Sequence, residues 1–512
     1  MRVSPLISSL LAVAFLGGAG VVAYPDVLPG VRAEPSVDAG SESESEPEVD
    51  ATGTATPSEL AVVPSTPSVA AALPIPPDRN QVILDLGALL ANPEYDTLGS
   101  LSLSVLDQDG RLVIERSPAL GLLPASTMKM VTAAAALALH GEDATLETEV
   151  LIDGAVSSRG TLDGNVYVVA GGDPTLASIE FQQFVYPIRP ATDTRQLVEL
   201  LRGAGIQRVT GDVVADPGAY ADDRLAEGWR ETYLNDFDAR YITGLTVDAG
   251  LDVTIKRARS DWPQLAPEDL GNEGIRVKLA ADPVARAAEV LREELARARM
   301  SVEGEARVGN SPASAISIGA MVSAPLGELL TFMVKRSDNH IADTLFREIG
   351  AQVTGRSTWD SSSQAVRALL ADLGVDLDSA VLKDGSGLSR GDLLSARLLA
   401  ELDQRMASSP DGELWASLHA VAGEDGTLRR RLRDTIADGR FRGKTGTLND
   451  VRALVGAVQG PNGQRFHLAI IGNGGEVWRA TTLADQMILR LTRSLWCSAD
   501  NAPDDVVLAC AA

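Results

Sequence analysis

The stretch "LLPASTMKMVTAAAAL" (residues 122–137) places Ser126 three positions before Lys129 at the mouth of an alanine-rich run. On a helix, residues i and i+3 share a face, so a hydroxyl and an amine meet there. A serine hydroxyl is a weak nucleophile until an adjacent base takes its proton. Lysine can be that base once burial or nearby charge lowers its pKa, whereas arginine stays protonated. Lysine is the rare cation in this chain, six against thirty-nine arginines, so its presence at this place is chemically pointed. Alone the pair says little. Ser-x-x-Lys is expected by chance about once in a chain of this size, and a serine at a helix start is most often a cap.

Two further segments raise its weight. "KRSDNHIADTLF" contains Ser337-Asp338-Asn339, and "RGKTGTLNDV" contains Lys444-Thr445-Gly446. Ser-x-x-Lys, Ser-Asp-Asn and Lys-Thr-Gly, in that order, are the motif set of class A β-lactamases and penicillin-binding proteins. The local patterns predict a helix, a helix start and a strand for the three. Some 210 residues separate Ser126 from Ser337, more than a compact β-lactamase needs. Together with "GGDPTL" (171–176), "KDGSGLSR" (383–390) and "GTLRRRL" (426–432), residues 82–496 resemble the D-alanyl-D-alanine carboxypeptidase/endopeptidase family. This is the class C, penicillin-binding-protein-4-like group of peptidase S13 type.

The resemblance implies a serine DD-peptidase that needs no cofactor, acts on peptidoglycan stem peptides and is acylated by β-lactams. It implies Ser126 as nucleophile, Lys129 as its base, Ser337 as a proton relay, and Asn339 as the residue that holds Lys129 and the substrate amide. Lys444 and Thr445 would bind the terminal carboxylate, and Gly446 would let substrate pass close to its strand. The backbone N–H groups of Ser126 and Thr447 would form the oxyanion hole. Asp216 in "VVADPGAY" and Arg390 in "GSGLSR" match family positions near the stem-peptide side chain, although Asp216 also reads as an ordinary Asp-Pro turn. Asp343 stands where the family usually has glutamate. Two alternatives remain: a β-lactamase, and a wall protein that binds β-lactams without hydrolysis. No Gly-x-Ser-x-Gly elbow surrounds Ser126, which disfavours a lipase-like hydrolase.

The elements that must position these residues are partly readable. Residues 98–118 and 451–473 alternate about "DQDG" and "PNG" turns and predict hairpins. Helices are expected over 127–140 and 480–496. Hairpins at both ends with helices between give an α+β fold, a β-lactamase/transpeptidase-like domain. The resemblance implies that this domain is interrupted by an insertion. Residues 150–312, with short strands in 164–176 and 209–220 and a helix over 283–300, read as that insertion. It lies between two parts of the main domain, at 81–149 and 313–498.

The flanks read differently. The apolar run 6–23 after Arg2 predicts an export signal or membrane anchor (residues 1–24) and an extracytoplasmic location. Residues 25–80, rich in Ser, Pro and Glu, predict an extended acidic tether. Residues 499–512 form a tail. A net charge of −25 argues against sequence-independent nucleic-acid binding. Cys497 and Cys510 permit a disulfide in an exported chain, with two free thiols as the alternative. Neither has metal-ligand spacing, and no His-Glu-x-x-His motif occurs, so no metal site is expected. His340, beside the Ser-Asp-Asn motif, reads as a helix-face residue rather than a serine's partner. "RRRLRDTIADGRFR" reads as a solvated helix face.

Overall fold

The computed structural model of the chain describes residues 79–255, 275–497 and Cys510. The predicted signal or anchor, the tether up to residue 78 and the tail apart from Cys510 lie outside the described residues. The first element is helix α1 (Arg79–Leu90), which begins within the span read as tether. Its Val82, Leu86 and Leu89 recur at helical spacing and are all buried.

Strands β1 (Leu98–Asp107) and β2 (Leu112–Arg116) form the expected hairpin. A 3-10 turn, Ala125–Thr127, leads into α2 (Met128–His140). Every residue of α2 from Met128 to Leu137 is buried, which explains the run of alanines: only small side chains let neighbours close in on all faces.

A second group of elements follows. Strands β3 (Glu147–Ile152), β4 (Val166–Val169) and β5 (Val213–Asp216) join β6 (Ala306–Val308) and β7 (Ile316–Val322) in a sheet of order β6-β5-β4-β3-β7. Helices α3 (Gln196–Gly203) and α4 (Pro283–Arg297) supply Leu197, Leu201, Ala287 and Leu291 to its core. This sheet overruns the sequence boundaries at 150 and 312. Strand β3 starts earlier, and β7 starts later yet pairs antiparallel with β3. That pairing joins residues far apart in the chain, so local sequence carries no mark of it.

The chain then returns through α5 (Leu326–Arg336), α6 (Asn339–Thr354), α7 (Trp359–Asp372) and α8 (Ala396–Ala407). Strands β8 (Ala420–Val421), β9 (Phe441–Leu448), β10 (Val451–Gln459) and β11 (Arg465–Gly475) precede the last helix, α9 (Trp478–Trp496). Between β8 and β9 the arginine-rich run is a series of turns after a short 3-10 turn, not the expected helix face. Leu432 and Asp434 adopt positive φ there, and Arg431 reaches Asp485 on α9, so the run folds back on itself.

The main sheet has the order β8-β9-β10-β11-β1-β2 and is antiparallel throughout. It is covered on both faces. Leu454, Leu468 and Ile470 pack with α1 and α9, while Val455, Ala469 and Ile471 pack with α2 and α5–α8. Alternate residues of a strand point to opposite faces, so one strand serves two cores. The polar half of the β1 alternation is also buried: Ser102 and Ser104 have no exposed surface, and Ser102 Oγ accepts from the Ala396 N–H that starts α8. Cys497 and Cys510 are joined in a disulfide, with Cα atoms 5.7 Å apart.

Candidate active site

Ser126 sits in the 3-10 turn that feeds α2, behind Ala125 in a left-handed conformation with φ 46°. Positive φ is uncommon for a residue with a Cβ. Thr127 Oγ1 ties the turn back to Pro124 O at 2.7 Å. One turn on, Lys129 is fully buried, and its Nζ meets Ser126 Oγ at 3.1 Å, Asn339 Oδ1 at 2.6 Å and the Ser386 carbonyl at 2.8 Å. Burial lowers its pKa to about 8, against the opposing pull of Asp343, Asp384, Asp338 and Asp238. A neutral amine keeps two N–H donors and one lone pair. With the donors engaged by Asn339 and Ser386, the lone pair faces the Ser126 hydroxyl.

The Ser-Asp-Asn segment is a junction of two helices. Ser337 closes α5 in a left-handed conformation with φ 60°. Asp338 caps α6, accepting from the Ile341 N–H at 2.9 Å. Burial favours protonation of Asp338, but Arg189 and Arg240 outweigh it and hold the carboxyl at about 2. Arg189 Nε donates to Asp338 Oδ2 at 3.2 Å. Asn339, in the first turn of α6, donates from Nδ2 to the Asp238 carbonyl at 2.9 Å while its Oδ1 accepts from Lys129.

Strand β9 presents the third motif. Lys444 is fully buried and donates to Ser337 Oγ at 3.0 Å and to the Thr445 carbonyl at 2.9 Å. Burial pushes its pKa well down and Lys129 pushes it further. Thr445 Oγ1 donates to Thr427 Oγ1 at 2.8 Å. Gly446 packs closely against the Ser126 turn. A Cβ there would lie 2.6 Å from the Pro124 carbonyl and 3.2 Å from Ala125 Cβ. The glycine therefore lets the Ser126 turn approach the strand. Gly387 does the same from the other side: its φ is +82°, and a Cβ would lie 1.9 Å from the Ala125 carbonyl.

These elements line a cleft of about 480 Å³. Ser126, Ser337, Asn339 and Thr447 form part of its wall, with Lys129 and Lys444 buried beneath. Thr445 and Gly446, on the same strand as Thr447, do not line it themselves, and Asp216 and Arg390 lie away from that wall. Asp216 ends β5, where its carboxylate accepts from Gly218 N, Ser311 N and Ser311 Oγ. Arg390 gives both terminal nitrogens to Asp450, at 2.8 and 2.6 Å. His340 is buried against Arg189 Nη2 at 3.3 Å, and burial with Arg189 and Arg240 drives its pKa well below the usual range, so it is no base for a serine.

Sequence reasoning missed Tyr233, Asp238 and Arg452 on the wall and the Ser386 carbonyl beneath it. A backbone carbonyl leaves no trace in residue type. The Gly-rich "DGSGLS" did mark an unusual loop.

The sequence profile of the D-Ala-D-Ala carboxypeptidase 3 (S13) family matches residues 85–263 and 266–494. The chain belongs to the S13 family. Among S13 relatives, the D-alanyl-D-alanine carboxypeptidase of Actinomadura sp. (strain R39) is 31% identical over 466 residues, covering 80% of this chain and 84% of that one. Carboxypeptidase DacB of Mycolicibacterium smegmatis is 29% identical over 424 residues, covering 81% and 85%. The crystal structure of penicillin binding protein 4 from Haemophilus influenzae aligns with a TM-score of 0.64 at 23% identity, over 80% of this chain and 99% of that one. At that identity the likeness speaks for the α+β fold. The same H. influenzae protein in complex with a β-lactam aligns with a TM-score of 0.60 at 22% identity, over 81% and 99%.

Proposed function

We propose that this S13 chain is a serine DD-peptidase that removes the terminal D-alanine from peptidoglycan stem peptides by way of an acyl-enzyme on Ser126. The observation that carries the reading is the placement of Lys129 Nζ within hydrogen-bond reach of Ser126 Oγ, held from behind by Asn339 and Ser386. A lysine with a pKa near 8 supplies a usable fraction of neutral amine at neutral pH.

In the first half-reaction Lys129 takes the hydroxyl proton, and Ser126 Oγ bonds to the carbonyl carbon of the penultimate D-alanine. Backbone N–H groups of Ser126 and Thr447 receive the developing oxyanion. The C–N bond to the terminal D-alanine breaks, and the proton passes through Ser337 to the leaving amine. Ser337 suits this relay because its hydroxyl bonds Lys444 Nζ and lines the cleft. Lys444 and Thr445 receive the terminal carboxylate. Water then attacks the ester carbonyl, the acyl C–O bond to Ser126 breaks, and a proton from that water passes by way of Lys129 to Ser126 Oγ.

The same geometry favours acylation by β-lactams, whose strained amide takes the place of the peptide. We further propose that the enzyme works outside the cytoplasmic membrane, as the apolar run 6–23 and the substrate require. Among the described residues no helix is long and apolar enough to cross a membrane. Cleavage of peptide cross-links is the same chemistry with a larger leaving amine.

Product analysis on purified muropeptides tests the reading. Wild type should release D-alanine from pentapeptides, and Ser126→Ala should release none. Release by Ser126→Ala at the wild-type rate would overturn it.

A further inference from the structure

The loop 384–390 carries Ser386, whose carbonyl holds Lys129, and Gly387 and Leu388, which line the cleft. A flexible, glycine-rich loop is a poor fixture for a catalytic base unless something organises it. Asp384 does so. The residue has no exposed surface. Its Oδ1 accepts from the backbone N–H groups of Ser386 at 3.1 Å and Gly387 at 2.6 Å, and its Oδ2 accepts from Ser389 N at 2.7 Å. One carboxylate thus dictates which way the Ser386 peptide faces.

The fourth donor comes from far away in the chain. Trp229 Nε1 donates to Asp384 Oδ2 at 2.7 Å. Trp229 lies in the segment read as the insertion, and the two residues before it grip the same loop. Ser389 Oγ donates to the Glu227 carbonyl at 2.5 Å, and Arg390 N donates to the Gly228 carbonyl at 3.2 Å. The indole is itself held edge-on by Trp359, with ring centroids 5.6 Å apart.

We infer that Trp229 and Asp384 form a positioning pair for the acylation step, in which a tryptophan from the segment 150–312 fixes the loop whose Ser386 carbonyl orients Lys129. Neither residue touches substrate; both act through the Ser386 peptide. Positioning matters here because a small displacement of a base from its proton lowers the rate steeply. The inference rests on the reading of Lys129 as the base.

The charges around Lys129 give a second signature. Asp343 on α6, Asp338 at its cap, Asp384 on the loop and Asp238 all favour the ammonium, while Lys444 on β9 opposes it; burial and the Asp384 charge in turn push the carboxyls of Asp343 and of Asp392, which adjoins Asp384, well up. Asp384→Asn removes one of the carboxylates that favour the proton. The lysine then gives up its proton more easily, so the acid limb of the acylation profile moves to lower pH even as the plateau falls. A variant that merely loosens the fold relieves the burial of Lys129 and moves that limb upward instead.

The test is stopped-flow acylation by a chromogenic penicillin with full-length wild type, Trp229→Phe and Asp384→Asn, each over a pH series. Trp229→Phe should lower the saturating acylation rate by about tenfold, the worth of one hydrogen bond to a charged group. It should leave the half-saturating concentration unchanged. Asp384→Asn should shift the acid limb downward. A saturating rate for Trp229→Phe equal to wild type, or a loss that lies wholly in the half-saturating concentration, overturns the inference. So does an unmoved limb in folded Asp384→Asn; if that variant does not fold, Trp229→Phe alone decides. Wild type that fails to acylate at Ser126 sinks the proposed function instead, so the two failures are distinguishable.

Discussion

Lys129 and Lys444 are the same residue type, both without exposed surface, beneath one cleft. Their surroundings differ. Lys129 is faced by Asp343, Asp384, Asp338 and Asp238, whose pull offsets part of the burial penalty and leaves its pKa at about 8. For Lys444 the influences are burial and the like charge of Lys129, both acting to remove its proton; no carboxylate joins them among the described residues. Burying an ammonium without a counter-ion is costly. The first site is balanced so that a proton can leave and return. The second is poised to gain most when a substrate brings its own carboxylate. One environment suits a base and the other suits an anion receptor, which is the division of labour the proposed mechanism needs.

That contrast can be broken most severely at Ser126, the proposed nucleophile. Ser126→Ala should lower turnover of a D-Ala-D-Ala peptide by about 10⁶-fold, the loss typical of removing a catalytic serine. D-Alanine release measures it, and substantial residual turnover would dissolve the contrast altogether. Lys129→Arg should cost roughly 10³-fold in acylation, because a guanidinium cannot accept the proton. Near-normal acylation of that variant would remove Lys129 from the role of base.

Lys444→Ala sharpens the other half. With a free C-terminal carboxylate, kcat/KM should fall about 10- to 100-fold, the value of a charge-assisted hydrogen bond. With an amidated C-terminus the fall should be much smaller. Equal losses on both substrates would show that Lys444 does not read the carboxylate.

The pH profile separates the two lysines without mutation. Only neutral Lys129 can take the proton, so below its pKa of about 8 acylation should fall tenfold per pH unit, and above it the rate should level off. Burial and Lys129 both favour the neutral amine at Lys444, so docking of a free substrate carboxylate should be accompanied by proton uptake there, a signature Lys129 does not share. A profile flat from pH 5 to pH 8 would contradict the balanced-base picture.

The smallest effect on activity is expected far from the cleft. Replacing Cys497 and Cys510 by serine removes a short crosslink worth about 3 kcal/mol in the chain-entropy account. Denaturant midpoints should drop while acylation rates stay within twofold. A matching loss of activity would show that the C-terminal end of α9 reaches the site.

What could be read from local sequence follows from what the residues do. The hairpins about residues 98–118 and 451–473 are visible because their strands alternate and their turns carry Gly and Asn. Ser126, Lys129, Ser337, Asn339 and Lys444 are visible because their chemistry resides in side chains at fixed spacing. An Asp-Pro turn and a cleft carboxylate have the same letters at Asp216; the structure adds that its carboxylate is engaged by Gly218 and Ser311. The arginine run before β9 misled because its composition suits a helix, whereas positive φ at Leu432 and Asp434 turns it back. The Ser386 carbonyl, Tyr233 and Asp238 left no local signal. They matter through where the chain brings them, not through their neighbours in sequence.

The sequence by itself determined the inventory of the chemistry: a hydroxyl, an amine that can lose its proton, a second amine, and strands and helices regular enough to carry them. It also determined that roughly 210 residues intervene between the first and second motifs. Only the tertiary structure decided which lysine is surrounded by carboxylates and which is not. A pKa depends on burial and on charges within a few ångströms, and those are set by contacts between distant parts of the chain: α2 against α6, the 384–390 loop against Trp229, and β9 against the Ser126 turn.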